Sequence, residues 1–440
     1  MSRSDFRPVG AAQTAEGARP GRFGRWLAWR DEALFAVVAL FSSVIALGGN
    51  LLAARVVDPA DMGIIMRLML VQNYLALLHL GVFSGLQRNV PLELGRGDEQ
   101  RLDRQVAASW WMARWTALVG LAVGAGVVVV VLWLRLPMLH FWAALAMTST
   151  LVCLPFTTHF DVLYRSLRQF RRATWVMSVG AGLSAVACLL PLWWGAMGLA
   201  GRYFFTALAV LVPRWWGNPR PATVPMDRPT LGELIRIGFP IMVCSQLGGL
   251  FNVADRSVVA ARMSEAELGL FQLASLVATG LQVLPNTLGM ILLPRVARRY
   301  GETGDPVSLR KFVWQGALVG FAAIAPAVLF FYFGMGTLAR VFCPKYLPGV
   351  PAAEITCLSM LTFAASGVGA VITTLRGNTG LILVTGAGLA LVWLGGWLAI
   401  SAGAGIVGVA WVRFWAQCLY AAGMVGLAIW LTRTKPLPAT

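Results

Sequence analysis

Two residues of opposite charge, Asp255 and Arg256, sit side by side inside the apolar run that follows Gly238-Phe239-Pro240. Charge in hydrocarbon is expensive, so such residues ordinarily face water or a substrate path. Neighbouring helical positions point about 100° apart, so each of the two needs a partner of its own. Four further arginines interrupt apolar runs: Arg67, Arg114, Arg202 and Arg413. Counting from the run ends puts Arg67, Arg202, Arg256 and Arg413 roughly 7 to 12 Å below one surface, with Arg114 nearer the other. Guanidinium groups gathered at one depth around a cavity suit a polyanion, because their fork matches phosphate oxygens. A single one can instead snorkel to the interface. Asp255 has two readings, as the counter-ion of an arginine on another helix or as the binding site of a coupling H+ or Na+.

The helices that would carry these groups have polar faces. Gln272, Ser275, Thr279, Gln282 and Asn286 follow at three- and four-residue steps, which puts them on one side of a helix. That side either lines a cavity or bonds to another helix. Ser245, Gly248, Gly249 and Asn252 lead to Asp255 and Arg256 in the same manner, and Ser42, Ala46, Gly49, Asn50 and Ala53 echo them early in the chain. The candidate cavity set is therefore Arg256, Arg67, Arg202, Arg413, Arg114, Asn252, Gln272, Gln282 and Asn286. His79, His140 and His159 are scattered without metal-ligand spacing, and the six cysteines form no close pair. Neither a metal centre, a disulfide framework nor a bound cofactor is expected.

The composition sets these residues in a membrane. Of 440 residues 58% are hydrophobic and 12% charged, too apolar for a soluble domain of this length. Apolar runs of about 18 to 25 residues, each long enough to span a bilayer, number about twelve. A formal charge of +17 could suggest nucleic acid, but the basic residues fall between apolar runs. Of the 36 Lys and Arg, 26 fall on one set of alternate loops and 5 on the other. By the positive-inside rule both termini are cytoplasmic. The expected domains are a basic tail at 1–32, a first lobe at 33–213, an extended linker at 214–236, a second lobe at 237–431 and a tail at 432–440. Arg22 to Arg30, with Trp26 and Trp29, reads as a short helix at headgroup level.

The lobes are argued from a repeat. Residues 53–63, Ala-Ala-Arg-Val-Val-Asp-Pro-Ala-Asp-Met-Gly, match residues 260–269, Ala-Ala-Arg-Met-Ser-Glu-Ala-Glu-Leu-Gly. Each joins two long apolar helices, and each second helix ends near a proline followed by Gly-Asp, at Pro91 with Gly97-Asp98 and at Pro294 with Gly304-Asp305. Six spans per lobe give two copies of one orientation, related by an axis along the membrane normal. The predicted fold is thus an all-α polytopic membrane protein of about twelve helices in two pseudo-symmetric six-helix lobes. The glycine pairs Gly120 with Gly124 and Gly316 with Gly320 allow close helix contact.

The acidic turn Asp58-Pro-Ala-Asp-Met-Gly63, the glycines Gly81 and Gly85 before Arg88, Gly-Phe-Pro240, Asp255-Arg256 and Gly269-Leu-Phe271 resemble the polysaccharide-biosynthesis transporters. These are lipid-linked oligosaccharide flippases of the O-antigen and exopolysaccharide type, in the superfamily of the multidrug and toxin extruders and lipid II flippases. The resemblance implies a V-shaped transporter, not an enzyme, in a bacterial inner membrane. It would move an undecaprenyl-diphosphate-linked glycan to the outer leaflet by alternating access, drawing on an H+ or Na+ gradient or on substrate supply. Partners would be that glycan, membrane lipids and the glycosyltransferases or polymerase of the pathway, with no nucleic acid and a monomeric chain. A drug or small-molecule antiporter of the superfamily stays open, as does a membrane-embedded glycan polymerase or ligase.

Overall fold

The computed structural model describes the backbone of residues 22–303, 305–375 and 377–433, and their side chains apart from those of 22–33, 36, 366–367 and most of 283–301. The chain is helical throughout its spans. Ten segments among the described residues are long and apolar enough to cross a membrane. Two more helices, Phe170–Ala187 and Glu265–Thr303, lie between them in the chain.

In chain order the first lobe comprises α1 (Arg22–Val56), α2 (Pro59–Met69), α3 (Val71–Leu75), α4 (Val82–Arg96), α5 (Glu99–Trp133), α6 (Met138–Ser166), α7 (Phe170–Ala187) and α8 (Leu190–Trp216). The second comprises α9 (Arg228–Arg262), α10 (Glu265–Thr303), α11 (Arg310–Phe342), α12 (Val350–Ser359), α13 (Val368–Thr374), α14 (Asn378–Ser401) and α15 (Gly405–Leu431). In the first lobe α5 packs on α6, α6 on α8, and α7 on both α8 and α1; in the second α14 lies between α9 and α15, and α12 packs on α15 and α10. Lipid gives helices no hydrophobic reason to associate, so small residues that let backbones approach decide the packing. Gly120 meets Leu151 of α6, Gly124 meets Thr148, and Gly320 meets the backbone of Ala364.

Three expected boundaries differ. The backbone at 22–32 continues α1 as one helix of 35 residues instead of forming a separate surface helix. The connection between lobes is shorter than 214–236, since α8 runs to Trp216 and α9 begins at Arg228 with Pro229 in its first turn, where proline fits a helix. It is also tied down: Arg220 pairs with Glu99 (2.6 Å) and Asp103 (2.8 Å), and Arg101 with Glu233 (2.7 Å). Finally, the second apolar run is not one helix. It passes from α3 through a 3-10 turn at Ala76–His79 to left-handed Leu80 (φ 47°) and Gly81 (φ 84°) before α4.

The two acidic turns start their helices differently, the second by a local side-chain cap and the first with proline and a distant ion pair. Ser264 and Glu267 form a reciprocal capping box, with Ser264 N donating to Glu267 Oε2 (3.0 Å) and Glu267 N to Ser264 Oγ (3.3 Å). Asp58 pairs with Lys345 (2.7 Å) ahead of Pro59 at the start of α2. At the other end of the bundle Asp98 accepts from Arg101 N (2.9 Å) and Asp305 from Val307 N (3.0 Å), so both Gly-Asp signals precede helix caps.

The turns also lock the lobes together. A Cβ on Gly63 would collide with the Glu265 carbonyl, and one on Gly269 with the Pro59 carbonyl. Each turn's closing glycine therefore receives the backbone of the other turn, and the largest buried apolar cluster runs across both lobes here, including Ile65, Met69, Phe271 and Ala274. We call this the turn end and the opposite one the linker end. Substituting Gly269 with alanine is expected to hold the turns apart. A cysteine at Met62, now 3% exposed, should then react severalfold faster with a membrane-impermeant maleimide; unchanged labelling would show that the contact is not what closes this end.

Candidate functional site

Two arginines occupy corresponding places in the two lobes. Arg202 on α8 donates to Asn50 Oδ1 (2.9 Å) and to Ala46 O (3.2 Å) on α1. Arg413 on α15 donates to Asn252 Oδ1 (3.3 Å) and to Phe251 O on α9. In each lobe the last helix thus sends a guanidinium to an asparagine and a backbone carbonyl on the first. The small residues of α1 serve this packing, since a Cβ on Gly49 would strike Cys188 Sγ and the Arg202 guanidinium. Arg413 is 2% exposed, lies 4.9 Å over the Phe251 ring and has Asp255 Oδ1 at 3.8 Å.

That geometry separates the adjacent charges. Asp255 is buried beside Arg413 and also accepts from Arg256 N (2.8 Å). The Arg256 side chain points elsewhere and donates only to Asn252 O (3.3 Å), one turn back on its own helix. Arg202 is 6% exposed. Among the described residues neither Arg202 nor Arg256 has a carboxylate partner, whereas Arg413, Arg67, Arg101, Arg214 and Arg220 do. A nearly buried guanidinium bound only by neutral acceptors leaves net positive charge in its surroundings.

The other expected site residues do not converge there. Arg67 bridges the lobes at the turn end, donating to Glu265 Oε1 (3.2 Å) and Met263 O (3.0 Å). This clamp joins the two acidic turns. Arg114 is exposed on α5 with its guanidinium 5.3 Å from the Trp110 ring centre. Gln272 and Gln282 on α10 are half-buried and Ser275 is buried, so that stripe is not uniformly open; the Asn286 side chain lies outside the described residues. The Arg67–Glu265 pair is more than a third exposed on both sides, and such pairs contribute about 0 to 1 kcal/mol. Arg67→Gln is accordingly expected to lower the melting temperature little, and the exchange R67E with E265R to restore any lost closure in the Met62 labelling assay.

One cavity of about 270 Å³ opens where α9 meets the first lobe. Its polar lining is Gln72, His79, Thr116, Thr158, Ser245 and Gln246, at the level of the break between α3 and α4. Of these, Ser245 belongs to the face that periodicity marks as polar. His79, scattered in sequence and without ligand spacing, carried no signal. Nearby, Tyr74 donates to Ser257 Oγ (2.6 Å) across the lobes.

Comparison with known proteins bears on the architecture. Neither a protein-family model nor a curated protein matches the sequence. Among solved structures the chain is similar to the inward-facing conformation of a multidrug resistance MATE family transporter of the MOP superfamily, with a TM-score of 0.64 at 14% identity, covering 91% of this chain and 100% of the other. The chain has the fold of the MOP superfamily transporters. The MOP fold also links it to the lipid II flippase MurJ in an inward closed conformation, with a TM-score of 0.64 at 11% identity over 91% and 90% of the two chains. A MOP superfamily transporter from Pyrococcus furiosus, whose binding pocket is described as of reverse polarity, gives 0.57 at 14% identity over 92% and 96%.

Proposed function

We propose that this protein is a flippase for a polyprenyl-diphosphate-linked oligosaccharide, of the undecaprenyl type, in a bacterial inner membrane. The observation that carries the reading is the charge balance around α9. Arg202 and Arg256 lack a carboxylate partner among the described residues, while Asp255 is already engaged by Arg413. Two guanidinium groups free of carboxylates suit the oxygens of a diphosphate, each able to offer a fork of donors. A site for cationic drugs needs the opposite balance, and the acid best placed for it is occupied. An enzyme acting on the same glycan would need a catalytic acid on a roomy loop, yet Asp58 and Glu265 on the acidic turns are held in ion pairs.

The mechanism follows from the two ends. The turn end is closed by the interlocked glycines and the Arg67 clamp; α4 also meets α9 toward the linker end, which the charge asymmetry places in the cytoplasm, so entry of the head group from there requires that contact to open. The lobes then rock and release the head group outward, while the polyprenyl tail stays in the bilayer. The test is a proteoliposome assay with a headgroup-labelled polyprenyl-diphosphate oligosaccharide. Label in the inner leaflet should become accessible to an external quencher only in vesicles that contain the protein. Efflux of a cationic dye with no movement of the labelled lipid would replace this reading with that of a drug antiporter.

A further inference from the structure

The break in the second span is bridged by a side chain that can take up a proton. After the 3-10 turn at Ala76–His79, Leu80 and Gly81 both have positive φ, and Gly81 N donates to His79 Nδ1 (3.1 Å). An imidazole nitrogen thus does here, ahead of the helix, what an Asp or Asn oxygen does two residues before the N–H it accepts in an Asx turn. With Nδ1 accepting, the ring is neutral and its hydrogen is on Nε2. The ring leans on Phe83 with centroids 5.0 Å apart and borders the cavity formed with Ser245 and Gln246 of the second lobe.

Gly81 is also where the lobes meet at this level. A Cβ on Gly81 would run into the Gly238 carbonyl and Phe239 N, one on Gly238 into the Gly81 carbonyl, and one on Gly85 into the Leu234 carbonyl. The left-handed conformation at Gly81 therefore sets the backbone contact between α4 and α9. The Gly81 N–H is held by the acceptor on His79.

Among the described residues the cavity wall offers no counter-charge. The groups that α3, α5, α6 and α9 bring to it are Gln72, Thr116, Thr158, Ser245 and Gln246, and α4 brings Phe83. His159 on α6 is bonded instead to Ser109 (2.8 Å), and Asp255 on α9 is taken by Arg413. Coupling ions of two-lobed transporters bind where a spanning helix is discontinuous, and His79 is the titratable group at this discontinuity. We infer that His79 is a proton-binding site that couples pH to the contact between the lobes: the neutral imidazole holds the Gly81–Gly238 contact and the protonated one releases it. A proton taken from water onto Nδ1 breaks no covalent bond. It puts two N–H donors face to face at His79 and Gly81, so the hydrogen bond is lost, and the new cation turns towards the amide and hydroxyl oxygens of the cavity.

For transport this rests on the flippase reading, with H+ as the coupling ion; the conformational part is independent of substrate. The experiment uses the full chain in lipid nanodiscs without added lipid-linked glycan. Spin labels at Gln87 on α4 and Arg236 on α9 report the separation of the lobes. Between pH 8 and pH 5 the ratio of separated to joined populations should rise on the order of tenfold in the wild-type protein. His79→Asn keeps an acceptor for Gly81 N and does not titrate, so it should stay joined at both pH values, with a 15N-histidine resonance that titrates in the wild type absent. A wild-type distribution independent of pH, or the same shift in His79→Asn, overturns the inference and leaves the flippase reading untouched. Failure of the labelled lipid to move in proteoliposomes while this pH response persists would overturn the flippase reading alone.

Discussion

Arg256→Gln is expected to weaken binding of a polyprenyl diphosphate about 10- to 100-fold while leaving the melting temperature nearly unchanged. A hydrogen bond to a charged group contributes about 1.5 to 3 kcal/mol, and each 1.4 kcal/mol is about a factor of ten in affinity. The protein itself loses little, because the Arg256 side chain makes only the bond to Asn252 O. Arg202 differs, since it also fastens α8 to α1 through Asn50 and Ala46. Arg202→Lys therefore separates the two roles: it keeps the charge but cannot span both acceptors in a fork. Combining it with Arg256→Gln should bring flipping in proteoliposomes to the level of empty vesicles. If the double variant folds and flips at the wild-type rate, the guanidinium pair is not the head-group site.

Arg413→Leu is expected to destabilise the second lobe by about 3 to 5 kcal/mol, the usual penalty for removing one partner of a buried ion pair. Asp255 would be left buried with only the Arg256 N–H to satisfy it. At about 2 °C per kcal/mol for a large chain, the apparent melting temperature should fall by roughly 6 to 10 °C. Asp255→Asn in the same background should recover more than half of that loss, because the uncompensated charge is gone. Asp255→Asn alone should be mild, since Arg413 keeps Asn252 Oδ1 and the Phe251 carbonyl. It should also retain flipping, because the structural role leaves Asp255 nothing to couple. A stable Asp255→Asn protein that no longer flips would return this residue to the role of an ion site.

What the sequence discloses depends on whether the constraint is local. The acidic turns with Gly63 and Gly269 were legible, because a position that receives another backbone tolerates only glycine and so leaves a mark that repeats. The polar sides of α1 and α9 were legible by period, and both carry the asparagine, Asn50 and Asn252, that receives an arginine. Periodicity fixes the face of a helix but not the helix it meets. Arg67, Arg202, Arg256 and Arg413 at one depth therefore looked like a single cluster, whereas Arg67 reaches across the turn end to Glu265 and Arg413 turns into its own lobe. The break before α4 was hidden for another reason. Leu-Leu-His-Leu-Gly81 reads as helix by hydropathy, and the left-handed turn is placed where Gly81 meets Gly238 in the other lobe, more than 150 residues away in sequence. The connection between the lobes is shorter than its prolines imply, because Pro229 stands in the first turn of α9.

The most direct test of the charge-based account is equilibrium binding to the purified protein in detergent, comparing undecaprenyl diphosphate with undecaprenol at low and moderate salt. The account predicts that the diphosphate binds, that the alcohol does not compete with it, and that Arg256→Gln loses about one to two orders of magnitude for the diphosphate alone. Equal binding of the alcohol and the diphosphate, unchanged by Arg256→Gln, would contradict it.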